Sequence, residues 1–326
     1  MDAFWNGKRV LVTGGLGFIG GHLTRRLLHS GALVTILDNV SNPSPVRDHH
    51  AEKGVEVIRG ECKDPHAAWQ ACSGKDVVMH LAAKVAGVAY NQAHKGSMFS
   101  ENLLIQTIMM DAAQKAGVER FLAVSSAVVY PSDAIIPTPE SEGFRGEPDG
   151  PNAGYGWAKR ANELLARYYH EEFGMGIAVV RPYNCYGPRD HFFPEPTHVI
   201  PSLIKRAVDG ENPVVVWGSG NQTRAFLYVE DLVAGMMLAV EKYAVADPVN
   251  LGSDEEVTMR ELIELIVKLS GKNPTVVYDT SKPDGSPRRS SDNLKAKEKL
   301  GFTAQISLED GLRRTIAWYN GIKESV

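Results

Sequence analysis

The stretch Thr13-Gly14-Gly15-Leu16-Gly17-Phe18-Ile19-Gly20 follows an apolar run, Arg9–Thr13, and leads into a helical pattern at His22–Ser30. No other stretch constrains the fold as tightly. Gly14, Gly17 and Gly20 form G-x-x-G-x-x-G: the first lets the chain turn, the second lets backbone approach a pyrophosphate, and the third lets helix and strand pack closely. Phosphate would then lie over the helix N-terminus, where free N–H groups and the helix dipole favour negative charge. The second apolar run, Leu33–Asp38, ends on a carboxylate 18 residues beyond Gly20. Asp38 is placed to accept from an adenosine ribose 2′-hydroxyl and would repel a 2′-phosphate, and no Arg follows it until Arg47. The expected cofactor is therefore NAD rather than NADP.

Further strand-like runs occur at Val55–Arg59, Val77–Leu81, Phe121–Ser125 and Ile177–Arg181, with helix-length segments between them that include Asn102–Ala116 and Trp157–Phe173. Strands that are apolar throughout and alternate with helices indicate a parallel sheet covered on both faces. From about Arg181 the pattern changes to loops and prolines, with later helical segments at Met259–Leu269 and Leu308–Trp318. The expected fold is α/β: a Rossmann-like, doubly wound parallel sheet over residues 1–180 that binds NAD, and a smaller C-terminal α/β substrate-binding part over 181–326. There is no internal repeat and no low-complexity tract.

Composition narrows the partners. A net charge of −4 over 326 residues argues against nucleic acid or an anionic membrane surface. Apolar stretches such as Leu232–Val240 fall far short of the roughly 20 residues a spanning helix needs. Met1-Asp2-Ala3-Phe4 begins acidic, so no signal peptide is expected there. Cys62, Cys72 and Cys185 are too scattered for a disulfide framework or a zinc site, so no metal is expected and a cytoplasmic location is.

Tyr155 and Lys159 stand at i and i+4, on one face of a helix. A free tyrosine, with a pKa near 10, is a poor base at neutral pH. A lysine cation one turn away and a positive nicotinamide ring favour the phenolate, which can take a proton from a sugar hydroxyl while hydride leaves the same carbon. Ser126, just past the fifth strand, is placed to hold that hydroxyl.

Together these residues resemble the extended short-chain dehydrogenase/reductase family, in its nucleotide-sugar epimerase, dehydratase and reductase branch. The resemblance covers nearly the whole chain. It runs through Ser125-Ser126-Ala127-Val128-Val129-Tyr130-Pro131, Arg181-Pro182-Tyr183-Asn184-Cys185-Tyr186-Gly187-Pro188, Trp217-Gly218-Ser219-Gly220-Asn221-Gln222-Thr223-Arg224, Tyr228-Val229-Glu230-Asp231-Leu232 and Val249-Asn250-Leu251-Gly252-Ser253. It implies an enzyme on a nucleotide-diphosphate sugar. Cofactor contacts would come from Gly14, Gly17, Phe18, Ile19, Gly20, Asp38, Asn39, Leu81, Ala82, Ala83, Lys84, Asn102, Ser125, Tyr155, Lys159 and Pro182. Substrate contacts would come from Lys84, Ser126, Tyr155, Asn184, Val199, Arg224, and Arg288 or Arg289, the Arg residues offering bidentate forks to phosphate. It also implies that some chain after Arg224 returns to the first part. The helices Asn102–Ala116 and Trp157–Phe173 would pair across a homodimer as a four-helix bundle; burial within one subunit is the other reading of their apolar residues.

Within the branch, dehydratases resemble a Thr-Asp-Glu pattern where this chain has Ser126-Ala127-Val128, so the missing carboxylates disfavour dehydration. The chain is most similar to GDP-mannose 3,5-epimerase and GDP-fucose synthase. Both carry a cysteine two residues before the strand-five tyrosine, and this sequence has Val128 there, which cannot exchange a proton. His198, before Val199-Ile200-Pro201, resembles the synthase's acid/base; a satisfied loop histidine is the alternative. Asp38 also argues against a synthase-like reductase that consumes NADPH. The expectation is an NAD-dependent epimerase acting through transient oxidation at carbon 4, with an epimerase/reductase as the alternative. A non-catalytic NAD sensor would have no need of Ser126, Tyr155 and Lys159 together.

Overall fold

A computed structural model describes residues 3–41, 55–192, 198–282 and 285–323 of the chain. The N-terminal half runs β1 (Arg9–Thr13), α1 (Phe18–His29), β2 (Leu33–Asp38), β3 (Glu56–Arg59), α2 (Pro65–Cys72), β4 (Val77–His80), α3 (Val88–Ala93), α4 (Lys95–Lys115), β5 (Arg120–Val124), α5 (Ala153–Phe173) and β6 (Gly176–Pro182). The rest continues β7 (Cys185–Tyr186), α6 (Val199–Asp209), β8 (Val214–Trp217), β9 (Thr223–Ala225), β10 (Leu227–Tyr228), α7 (Val229–Lys242) and β11 (Val249–Leu251). It ends with β12 (Glu256–Thr258), α8 (Met259–Ser270), β13 (Val276–Asp279), β14 (Arg288–Arg289), α9 (Leu294–Leu300) and α10 (Leu308–Lys323).

Seven strands form one parallel sheet in the order β11-β6-β5-β4-β1-β2-β3. Its strands alternate sides residue by residue, as the pleat requires. Val10 and Val12 pack with Leu23, Leu27, Leu232 and Met236 of α1 and α7, while Leu11 between them packs with Ala68, Met109 and Ala113 of α2 and α4. Each buried Val, Leu or Met among them contributes about 1.5–3 kcal/mol. The doubly wound parallel sheet expected from the sequence is thus present. β11, from the later half of the chain, pairs with β6 and completes it.

Strand order reverses between β1 and β4. In such sheets the crevice at the carboxyl ends of the strands beside that reversal is where ligands bind. The tips of β1, β4 and β5 carry Gly14, Leu81–Lys84 and Ser125–Ser126 to that edge. Beyond the sheet, α6, α8 and α10 pack through Ile204, Leu262, Ile266 and Leu312 against the parallel pair β8–β13. Strands β12-β9-β14 form a separate three-stranded sheet, with Val257 packed against the same cluster.

Three helices start earlier than the apolar pattern suggests: α1 at Phe18 rather than His22, α4 at Lys95 rather than Asn102, and α5 at Ala153 rather than Trp157. The first turns of α1 and α5 contain Gly20, Gly21, Gly154 and Gly156, poor helix formers held here by packing. A Cβ on Gly154, for example, would fall 2.2 Å from the Lys95 carbonyl oxygen. No helix among the described residues is long and apolar enough to cross a membrane.

Candidate active site

The glycine motif makes a backbone cradle. Gly14 turns the chain out of β1 with φ +69°, in the left-handed region that suits glycine, and a Cβ there would lie 3.1 Å from the Ala82 nitrogen. A Cβ on Gly20 would fall 2.1 Å from the Gly14 carbonyl oxygen, so α1 can back onto β1 only with glycine at this place. Gly17 stands at the N-cap of α1 and no side chain caps the helix, which leaves the N–H groups of the first turn, with Phe18 and Ile19, for an anion. Asp38 closes the other end. Its buried carboxylate accepts from the Leu16 N–H at 3.1 Å and the Val40 N–H at 2.8 Å, which fixes both oxygens at the tip of β2. Val40 takes φ +52°, unusual for a β-branched residue and the kind of strain that gathers at ligand sites. Asn39 donates to Glu61 at 3.1 Å. Arg47 lies outside the described residues. These features fit a dinucleotide with a free ribose 2′-hydroxyl.

A buried pair that the sequence did not reveal locks the neighbouring strand tips. The Thr13 hydroxyl accepts the N–H groups of Leu81 and Ala82, both at 3.1 Å. The same hydroxyl meets His80 Nδ1 at 2.7 Å. Burial pushes His80 down to about 3, with the nearby Lys159 charge adding to this, so it stays neutral. The loop after β4 is shaped further by Asn102. Its amide accepts from the Lys84 N–H at 3.0 Å and donates to the carbonyls of Lys84 at 3.1 Å and Met98 at 2.8 Å. The Lys84 ammonium is paired with Glu101 at 2.5 Å.

Tyr155 and Lys159 lie in the first two turns of α5, facing β5. The Lys159 ammonium sits 5.4 Å from the centre of the Tyr155 ring and donates to the Val124 carbonyl at 2.7 Å, two residues ahead of Ser126. The helix thus brings the lysine against the strand end that carries the serine. Lys159 is only 5% exposed, and burial pulls its pKa down to about 8 while Glu163 opposes the fall. Burial pushes the Tyr155 phenol above its usual range. Ser126 opens a short 3-10 turn over 127–129 and accepts the Val128 N–H at 3.4 Å, leaving its own proton available.

Behind these residues lies a buried polar network. Ser125 Oγ donates to Glu163, and Arg181 forks onto the same carboxylate at 2.8 and 2.6 Å, with both side chains 2% exposed. Arg181 donates onward to the Tyr130 hydroxyl at 2.9 Å, which donates to Asn250 at 2.5 Å. Arg181 and Asn250 belong to stretches that carried the family resemblance, and the structure gives them this scaffolding place. Glu163, one turn past Lys159, was the available signal in the sequence.

The candidate substrate residues fall into two groups. Arg224 and Arg289 are register partners on β9 and β14 and share one face of that sheet; burial, then the charge of Arg289, lowers the Arg224 pKa. Arg289 also meets Asp149 at 3.2 Å, while Arg288 points to the other face, onto Glu256 at 2.9–3.1 Å. Of the two alternatives, Arg289 is therefore the one beside Arg224. Asn184 donates to the Ala225 carbonyl at 3.0 Å, one residue past Arg224. The second group is at α6. His198 Nδ1 meets the buried Asp190 at 2.9 Å, a bond that raises the histidine's pKa, and its ring is 57% exposed. Val199 follows as the first helical residue. Among the described residues no His, Cys, Asp and Glu cluster could hold a metal.

Comparison with known proteins identifies the family. The family model described as the NAD dependent epimerase/dehydratase family matches residues 10–252. A probable GDP-L-fucose synthase of Oryza sativa subsp. japonica is 35% identical over 318 residues, 96% of this chain and 92% of that one. A GDP-mannose 3,5-epimerase of the same plant is 31% identical over 331 residues, covering all of this chain and 85% of its own. Among solved structures, a UDP-glucose 4-epimerase of Thermotoga maritima with UDP-glucose has a TM-score of 0.87 at 28% identity, covering 97% of this chain and 99% of that one. The resemblance drawn from the motifs, and the NAD cofactor expected from Asp38, agree with these matches.

Proposed function

The chain belongs to the NAD dependent epimerase/dehydratase family, and from that premise we propose that it is a nucleotide-diphosphate-sugar epimerase working through transient oxidation at carbon 4 of a hexose. The observation that carries this reading is the placement of Lys159 between Tyr155 and the Ser126 strand end, at the edge of the sheet where the glycine cradle and Asp38 open.

Gly14, Gly17, Phe18, Ile19 and Gly20 would hold the dinucleotide's pyrophosphate, Asp38 its ribose, with Asn39 beside it. Leu81–Lys84, Ser125 and Pro182 would floor the nicotinamide end, and Asn102 would act there by shaping the loop. When bound, NAD supplies the hydride acceptor, and later the donor, at carbon 4. Ser126 holds the carbon 4 hydroxyl, and Tyr155 as phenolate takes its proton. Burial works against that phenolate, so the Lys159 ammonium must supply the compensating field. After the sugar turns over in the site, Tyr155 would return the proton to the carbon 4 oxygen. Arg224 and Arg289, with Asn184, would grip the diphosphate, while Val199 and Lys84 would line the sugar end.

A second reading, an epimerase/reductase like the GDP-fucose synthases, draws on the 35% identity to one of them. The His198–Asp190 contact favours it, since a buried carboxylate orients an exposed imidazole well for proton transfer. Val128, where the family resemblance implies a cysteine, weighs against a two-base exchange.

The division into a cofactor part, 1–180, and a substrate part, 181–326, belongs to the same proposal, as does a cytoplasmic homodimer. Phe99, Leu104, Trp157 and Tyr168 leave apolar surface exposed on the paired helices α4 and α5, which suits a four-helix bundle between two copies. Tyr155→Phe tests the chemistry. The variant should still bind NAD while turnover falls 10²-fold or more, on the order expected for a lost acid/base group; undiminished turnover would overturn the assignment.

A further inference from the structure

Glu163 stands where three elements of the site meet. Its carboxylate accepts from Ser125 at the end of β5 and from both nitrogens of the Arg181 fork on β6. It lies on α5 one turn past Lys159, and the side chain is 2% exposed. So deep a carboxylate is costly unless paired and hydrogen-bonded, and here both oxygens are engaged. Buried ion pairs are often no more stabilising than apolar residues of the same volume, so packing alone gives little reason for one here.

The neighbourhood of Lys159 supplies a reason. On its own helix it faces Tyr155 and Glu163. From β4 it faces His80, which burial keeps neutral, and from β5 the Val124 carbonyl. Arg181 on β6 is spent on Glu163 and Tyr130. Among these groups only Glu163 brings a negative charge that resists the loss of the lysine's proton in so dry a place. The ties to Ser125 and Arg181 keep that charge from swinging away.

We propose that Glu163 is a positioning residue of the reaction, a fixed buried carboxylate that keeps Lys159 in the ammonium form on which the Tyr155 base depends. This rests on the Ser126–Tyr155–Lys159 reading of the site.

The test is a pH titration of the full chain saturated with NAD, grown with lysine carrying ¹³C at Cε, whose shift follows protonation of the amine. The Lys159 signal is the one lost in Lys159→Met. In Glu163→Gln its midpoint should fall by about one pH unit or more, while Glu163→Asp, which keeps the charge, should stay near wild type. Glu163→Gln with Arg181→Met removes both buried charges and leaves neither unpaired, so it decides the matter even if the single variant folds poorly. Its midpoint should fall too. An unmoved midpoint in the double variant would overturn the proposal and leave Glu163 a structural residue. Failure of the underlying reading shows separately, as a Lys159→Met variant that retains turnover of UDP-glucose or GDP-mannose equal to that of wild type.

Discussion

Arg224 and Arg289 sit side by side in register on the parallel strands β9 and β14, two guanidinium groups leaving the same face of one small sheet. Like charges set together in this way repel, and a diphosphate between the forks would relieve the repulsion. Arg288, on the opposite face, is engaged by Glu256 through two of its nitrogens, and Arg289 meets Asp149 through one. Arg224→Ala and Arg289→Ala should therefore each raise KM for a nucleotide sugar by about tenfold or more, as expected for a lost charged hydrogen bond. Arg288→Ala should leave KM within about twofold. Steady-state kinetics of the three variants checks this, and an equal response from all three would remove the distinction between the two faces.

Gly20→Ala should abolish NAD binding. The added methyl would meet backbone, the Gly14 carbonyl at 2.1 Å, not a side chain able to move. Relief requires α1 to lift from β1, which disturbs the first-turn N–H groups and costs about 1–3 kcal/mol of stability. Calorimetric titration with NAD, beside a thermal melt, separates the two effects. Retained affinity would mean the cradle is looser than its geometry implies.

Asp38→Ser should weaken NAD and narrow the preference for NAD over NADP. The carboxylate that would repel a 2′-phosphate is lost, while a hydroxyl remains to meet one of the Leu16 and Val40 N–H groups. The ratio of the two dissociation constants should move by about tenfold or more, the scale of one charge-assisted hydrogen bond. A ratio that does not move would assign cofactor choice to other residues.

Acid should destabilise the fold in a window set by two buried histidines. Burial lowers His22 to about 4, with the Pro188 carbonyl contact partly opposing it, and lowers His80 to about 3. Both are below the unfolded value near 6.5. The folded state therefore holds them neutral while the unfolded chain takes up protons, so stability is full above about pH 6.5 and is lost as pH falls toward those values. The loss approaches roughly 3 kcal/mol for His22 and roughly 5 kcal/mol for His80, at about 1.36 kcal/mol for each pH unit between the folded and unfolded values. Urea midpoints measured between pH 7.5 and 4.5 should fall steadily, and less steeply in His22→Asn, which removes one of the two. A flat profile would show that neither histidine stays neutral when folded.

The sheet and its cofactor edge were legible in the sequence because they depend on local signals: apolar runs such as Arg9–Thr13, glycines at fixed spacing, and a carboxylate at the end of β2. Tyr155 and Lys159 were legible for the same reason, as an i, i+4 pair. The contacts that complete the candidate site come from far along the chain. Thr13 reaches His80, Ser125 reaches Glu163, and Arg224 finds Arg289 only once β9 and β14 pair. Helix starts were missed where glycines needed for close packing interrupt the apolar period, as at Gly20 and Gly154. The choice between Arg288 and Arg289 turned on which side of a short strand each side chain leaves, and no spacing in the sequence records that.

The most direct test of the account is to incubate the purified protein in heavy water with a panel of nucleotide sugars, NAD being no higher than the enzyme concentration, and to follow the sugars by NMR. The account predicts many turnovers of one sugar to its carbon 4 stereoisomer without deuterium uptake at carbon, because the same hydride leaves and returns. A protein that is silent until NADH or NADPH is supplied in stoichiometric amount, and that then reduces its substrate, would contradict it.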